Sequence, residues 1–178
     1  MTKLDILNAS ILIISLEGFE KLTLSTLADK LGVKKASIYY YFSSKDEIIL
    51  SLYENAKKIL SHFTFNINFS LSSAEVLTAV YTHWEKIYND KEFSLYLSLI
   101  EQRYMIDDEA FEIKNSLDLM IEAQSDAVIE NLIERKKLYF PNKKLLSFLF
   151  SASAKESLKR EESESFIEDF ISSFSHWL

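Results

Sequence analysis

Apolar residues recur at three- and four-residue spacing along most of this chain, and polar or helix-breaking residues interrupt them at intervals that predict a succession of α-helices. The first runs over about 3–17, with Ile6, Leu7, Ile11, Ile14 and Leu16 as core contacts; Gly18 stops it and Phe19 packs beneath. Thr23 stands where its hydroxyl can accept an otherwise unpaired backbone N–H and so cap a second helix, which carries Leu24, Leu27, Ala28 and Leu31. Gly32 ends that helix by admitting a left-handed backbone, and Val33 turns back to the core. A third helix over 34–42 keeps Ile38 and Phe42 inward and leaves Lys34, Lys35, Ser37, Tyr39 and Tyr41 outside. Ser44 through Glu47 has the form of a capping box, with Ser at the cap and Glu three residues on, and opens a fourth helix through Leu50, Tyr53, Ala56 and Leu60.

Residues 66–73 carry no helical signal and form a loop or boundary. A second box at Ser72 to Glu75 opens a helix with Val76, Val80, Trp84, Ile87 and Tyr88 on its inner side. The polar run 89–92 breaks it and caps the next, roughly 93–105. A long helix over about 107–137 bears Ile113, Leu117, Met120, Ile121, Val128 and Leu132 on one stripe. Pro141 ends the connection to two last helices, about 142–159 and 163–178, with the charged segment 155–164 as the turn between them. Nine helices result, with no internal repeat and no low-complexity segment.

Two short helices joined by a Gly-containing turn, with a third helix starting at once, make the helix-turn-helix plan, whose second helix enters the DNA major groove. The run Gly32-Val33-Lys34-Lys35-Ala36-Ser37-Ile38-Tyr39-Tyr40-Tyr41-Phe42-Ser43-Ser44-Lys45-Asp46-Glu47 resembles the signature of the tetracycline-repressor (TetR) family of transcriptional regulators, and Thr23, Leu27 and Ala28 match the part that precedes it. The resemblance covers about a quarter of the chain; elsewhere it extends only to length and helical character. It implies an all-α protein with a three-helix DNA-binding domain over 1–47 and a helical bundle over 48–178 for effector binding and dimerisation.

Composition agrees with the helical reading. Two Gly and one Pro in 178 residues are few, and apolar residues make up 48%. The absence of Cys excludes disulfides and thiol chemistry and fits a reducing cytoplasm. The apolar segment 6–16 is interrupted by Asn8 and Ser10 and lacks a cleavage site, so it does not read as a signal peptide. No uncharged apolar run reaches the roughly 20 residues that a membrane span requires, so a cytoplasmic protein without a membrane partner is expected. The net charge of −7 changes meaning once it is divided. Residues 21–45 hold five lysines against one aspartate, a local +4, which leaves −11 for the rest. Phosphate attraction is screened beyond about 8–10 Å in physiological salt, so the local sign decides.

By resemblance, Ser37, Tyr39, Tyr41 and Lys45 hold backbone phosphates. Lys35 is placed to donate to guanine O6/N7 or to a phosphate, and Ala36 and Ser37, in place of the family's Gly and Thr, permit close approach of the helix. Lys45 also begins a helix, where the dipole favours an anion, and Thr23 and Ser25 add phosphate contacts from the supporting helix. Lys34 departs from the pattern: the usual Ser there caps the helix, whereas a lysine cannot accept an N–H, at a cost of about 1 kcal/mol. Against these roles stands the plainer reading, in which the three tyrosines pack the domain and the lysines are solvated surface.

Beyond residue 60 the chain is acidic and aromatic-rich. Tyr81, Trp84, Tyr88, Tyr96, Arg103, Tyr104 and Gln124 are the candidates to line a pocket for a small apolar or aromatic effector; the competing reading is ordinary core. His83 shares a face with Val76, Val80 and Ile87 and reads as a core histidine. The three histidines have no metal-ligand spacing, and Asp107-Asp108-Glu109 reads as a helix start, so neither a metal, a cofactor nor a catalytic centre is expected. Phe148, Phe166, Phe170 and Phe174 lie on stripes with more apolar surface than a monomer needs, which predicts a homodimer through a four-helix bundle. The reading is a ligand-responsive regulator, most simply a repressor, whose partners are double-stranded operator DNA, a second copy of itself and an unknown small-molecule effector. The alternative is an all-helical small-molecule carrier or interaction module that has lost DNA binding.

Overall fold

The computed structural model describes residues 1–160 and 163–177, apart from the side chains of 160, 163 and 164. Every regular element among the described residues is helical: α1 (Lys3–Glu17), a single 3-10 turn (Phe19–Lys21), α2 (Leu24–Leu31), α3 (Lys35–Tyr39), α4 (Lys45–Ser61), α5 (Ser73–Tyr88), α6 (Phe93–Arg103), α7 (Asp108–Glu134), α8 (Lys143–Arg160) and α9 (Ser163–Phe174). None of the described helices is long and apolar enough to cross a membrane. The chain forms two compact units. One comprises 1–63 and 90–115, the other 64–89 and 116–178, so α7 contributes residues to both.

In the first unit α1 is the central element, packing against α2, α4 and α6. This explains why its sequence is apolar around most of the circumference: Ile6, Ile11, Ile13 and Ile14 are all at most 2% exposed. Leu16, expected in the core, is instead 73% exposed, because the last turn of the helix carries it clear of its neighbours. Ser10 is fully buried and donates its hydroxyl to the Ile6 carbonyl at 2.7 Å, which removes the cost of an unpaired polar group.

Capping determines where the helices begin. Thr23 accepts from the Thr26 N–H at 3.1 Å, and the Thr26 hydroxyl accepts from the Thr23 N–H at 3.0 Å, a reciprocal box closed by a second threonine. Ser72 and Glu75 form the box the sequence predicts, at 2.9 and 3.3 Å. At Ser44 only half of the predicted box forms. The Ser44 hydroxyl accepts from the Glu47 N–H, but the Glu47 carboxylate turns to Ser43, accepting from its N–H and hydroxyl at 2.7 and 2.8 Å. Asp90 caps α6 by accepting from the N–H groups of Glu92 and Phe93, and Asn142 caps α8 by accepting from Leu145.

In the second unit α5, α8 and α9 pack together. An aromatic series joins them: Tyr81 against Phe166 at 4.7 Å, Trp84 against Phe150 at 5.2 Å, and Phe170 between Phe150 and Phe174 at 5.0 and 4.7 Å. The part of α7 in this unit faces α8 with an acidic row at Glu122, Asp126 and Glu130. These residues meet Lys155, Ser147 and Lys143 in antiparallel order. Residues 155–160 therefore continue α8 rather than forming the expected turn; 161–162 lie outside the described residues.

The end of α7 is a Schellman cap: the Lys137 N–H reaches back to the Leu132 carbonyl and the Lys136 N–H to that of Ile133, both at 2.9 Å. Lys136 holds the left-handed position at φ 56°, where glycine is the unstrained choice. The Lys137 ammonium then donates to three successive carbonyls, those of Phe69, Ser70 and Leu71, and fixes the loop before α5. Because Lys136 is exposed and its backbone is strained, Lys136→Gly is expected to raise stability by about 1 kcal/mol. Chemical denaturation followed by circular dichroism checks this; a destabilised variant would contradict it.

Candidate nucleic-acid interface

The recognition element is built from the inside. Ile38 and Phe42 are at most 1% exposed and anchor α3, while Leu27 and Ala28 anchor α2 beneath it. Gly32 joins the two helices at φ 66°, with its N–H bonded back to the Asp29 carbonyl. The third helix is shorter than the pattern predicts. After Tyr39 it tightens into a turn in which both Tyr41 and Phe42 donate to the Ile38 carbonyl, and this carries Phe42 down into the core. Lys34 occupies the cap position in extended conformation and makes no side-chain capping bond, as its chemistry requires.

What remains outside is a polar and basic surface. Lys34, Lys35, Ala36 and Ser25 are exposed, Ser37 is half-buried, and Tyr39 is 52% exposed. Tyr40 is 83% exposed and stacks edge-on against Tyr41. Other side chains of the predicted set are already engaged. The Thr23 hydroxyl serves its cap, and the Tyr41 hydroxyl donates to the Met1 carbonyl at 2.7 Å.

Lys45 is engaged as well. Its ammonium lies 4.1 Å from the centre of the Phe19 ring and donates to the Phe19 carbonyl at 3.4 Å. Burial holds its pKa below the usual lysine range; Glu20 opposes that shift and Arg103 adds to it. The Arg103 guanidinium sits 4.1 Å from the same ring. It is fixed there by the Asp107 carboxylate, which accepts from Arg103 Nε and NH2 at 3.0 and 2.7 Å and from the Tyr53 hydroxyl at 2.7 Å. Gln102 completes the cluster by accepting from the Phe19 N–H at 2.7 Å and donating to the Ile14 carbonyl at 3.3 Å. The Asp107 carboxylate, expected at a helix start, is thus committed to α4 and α6. Nothing near Phe19 in the sequence marks it as more than packing, since its cationic partners lie 26 and 84 residues further on.

The effector candidates fall in both units. Tyr96, Arg103 and Tyr104 belong to the first; Tyr96 is buried, Tyr104 is half-buried and Arg103 is held as just described. Tyr81, Trp84, Tyr88 and Gln124 belong to the second, with Tyr81 and Trp84 at most 1% exposed. Their polar atoms have protein partners: Trp84 Nε1 donates to Gln124 Oε1 at 2.6 Å, and the Tyr81 hydroxyl pairs with Ser157 at 2.8 Å. His83 packs edge-on against Phe65, and its buried Nε2 has no hydrogen-bond partner; burial lowers its pKa. Of the four phenylalanines expected on exposed stripes, Phe148 is open at 64%, whereas Phe170 is buried within its own chain at 7%, and Phe166 and Phe174 are half-buried beside it. The stripe of α9 is largely covered by α5 and α8 of the same chain.

Residues 6–52 match the family model of bacterial regulatory proteins, tetR family. No curated protein matches the chain by sequence. Among solved structures, the transcriptional regulator FadR from Bacillus subtilis, in complex with stearoyl-CoA, is 17% identical, with 96% of this chain and 98% of that one covered and a TM-score of 0.60. The TetR family transcriptional regulator PfmR from Thermus thermophilus is 18% identical over 96% and 95%, with a TM-score of 0.63. A putative transcriptional regulator from Saccharomonospora viridis in complex with choline is 16% identical over 96% and 95%, with a TM-score of 0.64. The fold is that of TetR-type regulators. Residues 6–52 are therefore similar to the N-terminal domain of the tetR family of bacterial regulatory proteins.

Arg103 and Tyr53 hold the Asp107 carboxyl below the usual carboxylate range, Arg103 contributing most. A carboxyl lowered on folding contributes stability above its unfolded pKa of about 3.9, and that contribution is lost as pH falls through the folded value. Asp107→Asn is therefore expected to lower the thermal midpoint at pH 7 by about 2–4 °C, with the gap from the parent shrinking below about pH 4. Thermal melts across pH test this, and a gap that persists undiminished in acid would refute it.

Proposed function

We propose that this protein is a homodimeric DNA-binding transcription regulator, a repressor that a small apolar or aromatic effector releases from its operator. The observation that carries the reading is the α2–α3 pair. It has the helix-turn-helix geometry, lies within the tetR-family match, and presents Lys34, Lys35, Ser37 and Tyr39 outward from an anchor of Ile38 and Phe42. The local charge of +4 in residues 21–45 against −11 elsewhere supports the same face as the one that meets DNA. On this reading Lys35 and Ala36 approach base edges, while Lys34, Ser37, Tyr39, Tyr41, Lys45, Thr23 and Ser25 attend to phosphates. One short helix offers few base contacts, so two half-sites and hence two subunits are required.

The effector side is supported by relatives of the same fold that carry stearoyl-CoA and choline. The second unit has the chemistry for such a site. Tyr81, Trp84 and Tyr88 supply apolar surface, and Gln124 and the unpartnered Nε2 of His83 supply polar atoms. Effector and operator then oppose each other through a coupling free energy of about 1–3 kcal/mol. For the dimer, the outer side of α8, with Phe148 at 64% and Leu145 at 46% exposure, is the apolar surface a second copy covers.

Binding to mixed-sequence duplex DNA over a series of salt concentrations tests the reading. The parent is expected to bind with a clear salt dependence, and Lys34→Ala and Lys35→Ala each to lower the slope of log affinity against log salt by about one. A protein indifferent to duplex DNA would be a helical carrier instead. Sedimentation is expected to give a dimer for the parent and a folded monomer for Phe148→Glu, because that side chain lies outside the subunit core; a parent that stays monomeric at micromolar concentration would remove the dimer.

A further inference from the structure

We infer that Phe19 is a positioning residue for the DNA contact: its ring holds the Lys45 ammonium in reserve, and Arg103, fixed to the same ring, keeps that hold weak enough for Lys45 to be released to a phosphate. The inference rests on the reading that Lys45 contacts DNA. Its ground is geometric. Two cations lie 4.1 Å from one aromatic centre, one from the start of α4 and one from the end of α6. A ring offers a limited quadrupole, so the cations compete for it and repel each other. Only one of them is free to leave. Arg103 is bound through two of its nitrogens by Asp107, and Asp107 is anchored to Tyr53 of α4, whereas Lys45 has the ring and a single long bond to the Phe19 carbonyl.

The backbone of Phe19 is itself tied to α6. Gln102 accepts the Phe19 N–H and donates to the Ile14 carbonyl, so the segment between α1 and α2 is held by the residue adjacent to Arg103. A change at the end of α6 therefore alters two things together: the position of Phe19 and the cation that competes with Lys45. With Arg103 on the ring, Lys45 is held loosely and is available to phosphate. With Arg103 withdrawn, the ring is left to Lys45 alone, and DNA binding must first break that contact.

The test is a set of double-mutant cycles on the full-length protein, with mixed-sequence duplex DNA as the probe. Phe19→Leu keeps the half-buried apolar bulk but removes the ring, and is expected to tighten binding by about two- to fivefold, the equivalent of one partly exposed cation–π contact. Phe19→Tyr keeps a ring and should bind like the parent. Arg103→Gln should weaken binding, and labelling of the lysine amines followed by mass spectrometry should find Lys45 less reactive than in the parent. Combined with Lys45→Ala, both the Phe19→Leu gain and the Arg103→Gln loss are expected to disappear. Effects of equal size with and without Lys45 would mean that Phe19 and Arg103 act only on the fold, and the inference would be wrong. Weaker or unchanged binding by Phe19→Leu alone would also overturn it. Lys45→Ala with affinity and salt slope unchanged would instead refute the phosphate contact on which the inference rests, and the inference with it.

Discussion

Helix α1 has to be buried on several sides at once, and the organisation of the first unit follows from that requirement. A helix that packs only on one neighbour needs an apolar stripe; α1 faces α2 and α4 as well as α6 and is apolar over most of its surface. At about 25 cal/mol per Å² of apolar area removed from water, side chains such as Ile6, Ile13 and Ile14 each contribute about 1.5–3 kcal/mol, far more than any single polar contact in the unit. The helix-turn-helix pair is thus mounted on the same element that α6 covers. The polar cluster of Gln102, Arg103, Asp107 and Tyr53 adds direction to an attachment whose strength is hydrophobic.

Features that depend on near neighbours in sequence were legible in advance. Thr23, Gly32, Ser72, Asp90 and Asn142 act within a few residues of themselves, so the helix boundaries they determine fall close to the expected places. The inward residues of the recognition element, Ile38 and Phe42, were equally plain, because Lys34 to Tyr41 supply polar contrast around them. Where a side chain has competing partners, the sequence was ambiguous. Glu47 could have bonded Ser44 or Ser43, and the geometry of the turn chose Ser43. Asp107 had a helix N-terminus at hand, yet its carboxylate went to Arg103 and Tyr53. Phe170 looked like surplus apolar surface because nothing in the local pattern announced that Phe150 and Phe174 would enclose it. The candidate site divides in the same way: the outward face of α3 was readable from spacing and resemblance, whereas the ring of Phe19, with partners from two distant helices, was not.

Electrostatics acts here through arrangement rather than through total strength. The pair of Glu130 with Lys143 is exposed and that of Glu122 with Lys155 partly so, and such surface pairs are worth about 0–1 kcal/mol each. Their value lies in register. With Asp126 and Ser147 between them, a one-turn slip of α8 along α7 would leave each acidic residue opposite the wrong partner. The acidic bulk of the chain is therefore partly spent on pairing within the second unit, while the basic excess stays with residues 21–45.

The hydrogen bond from Tyr41 to the Met1 carbonyl places Met1 beside the face proposed to meet DNA. Met1 is 41% exposed, so further residues joined ahead of it would emerge next to Tyr41 rather than on a remote surface. An affinity handle or fluorescent reporter fused at that end would therefore add its own bulk and charge beside that proposed face, and a measured DNA affinity would include the tag.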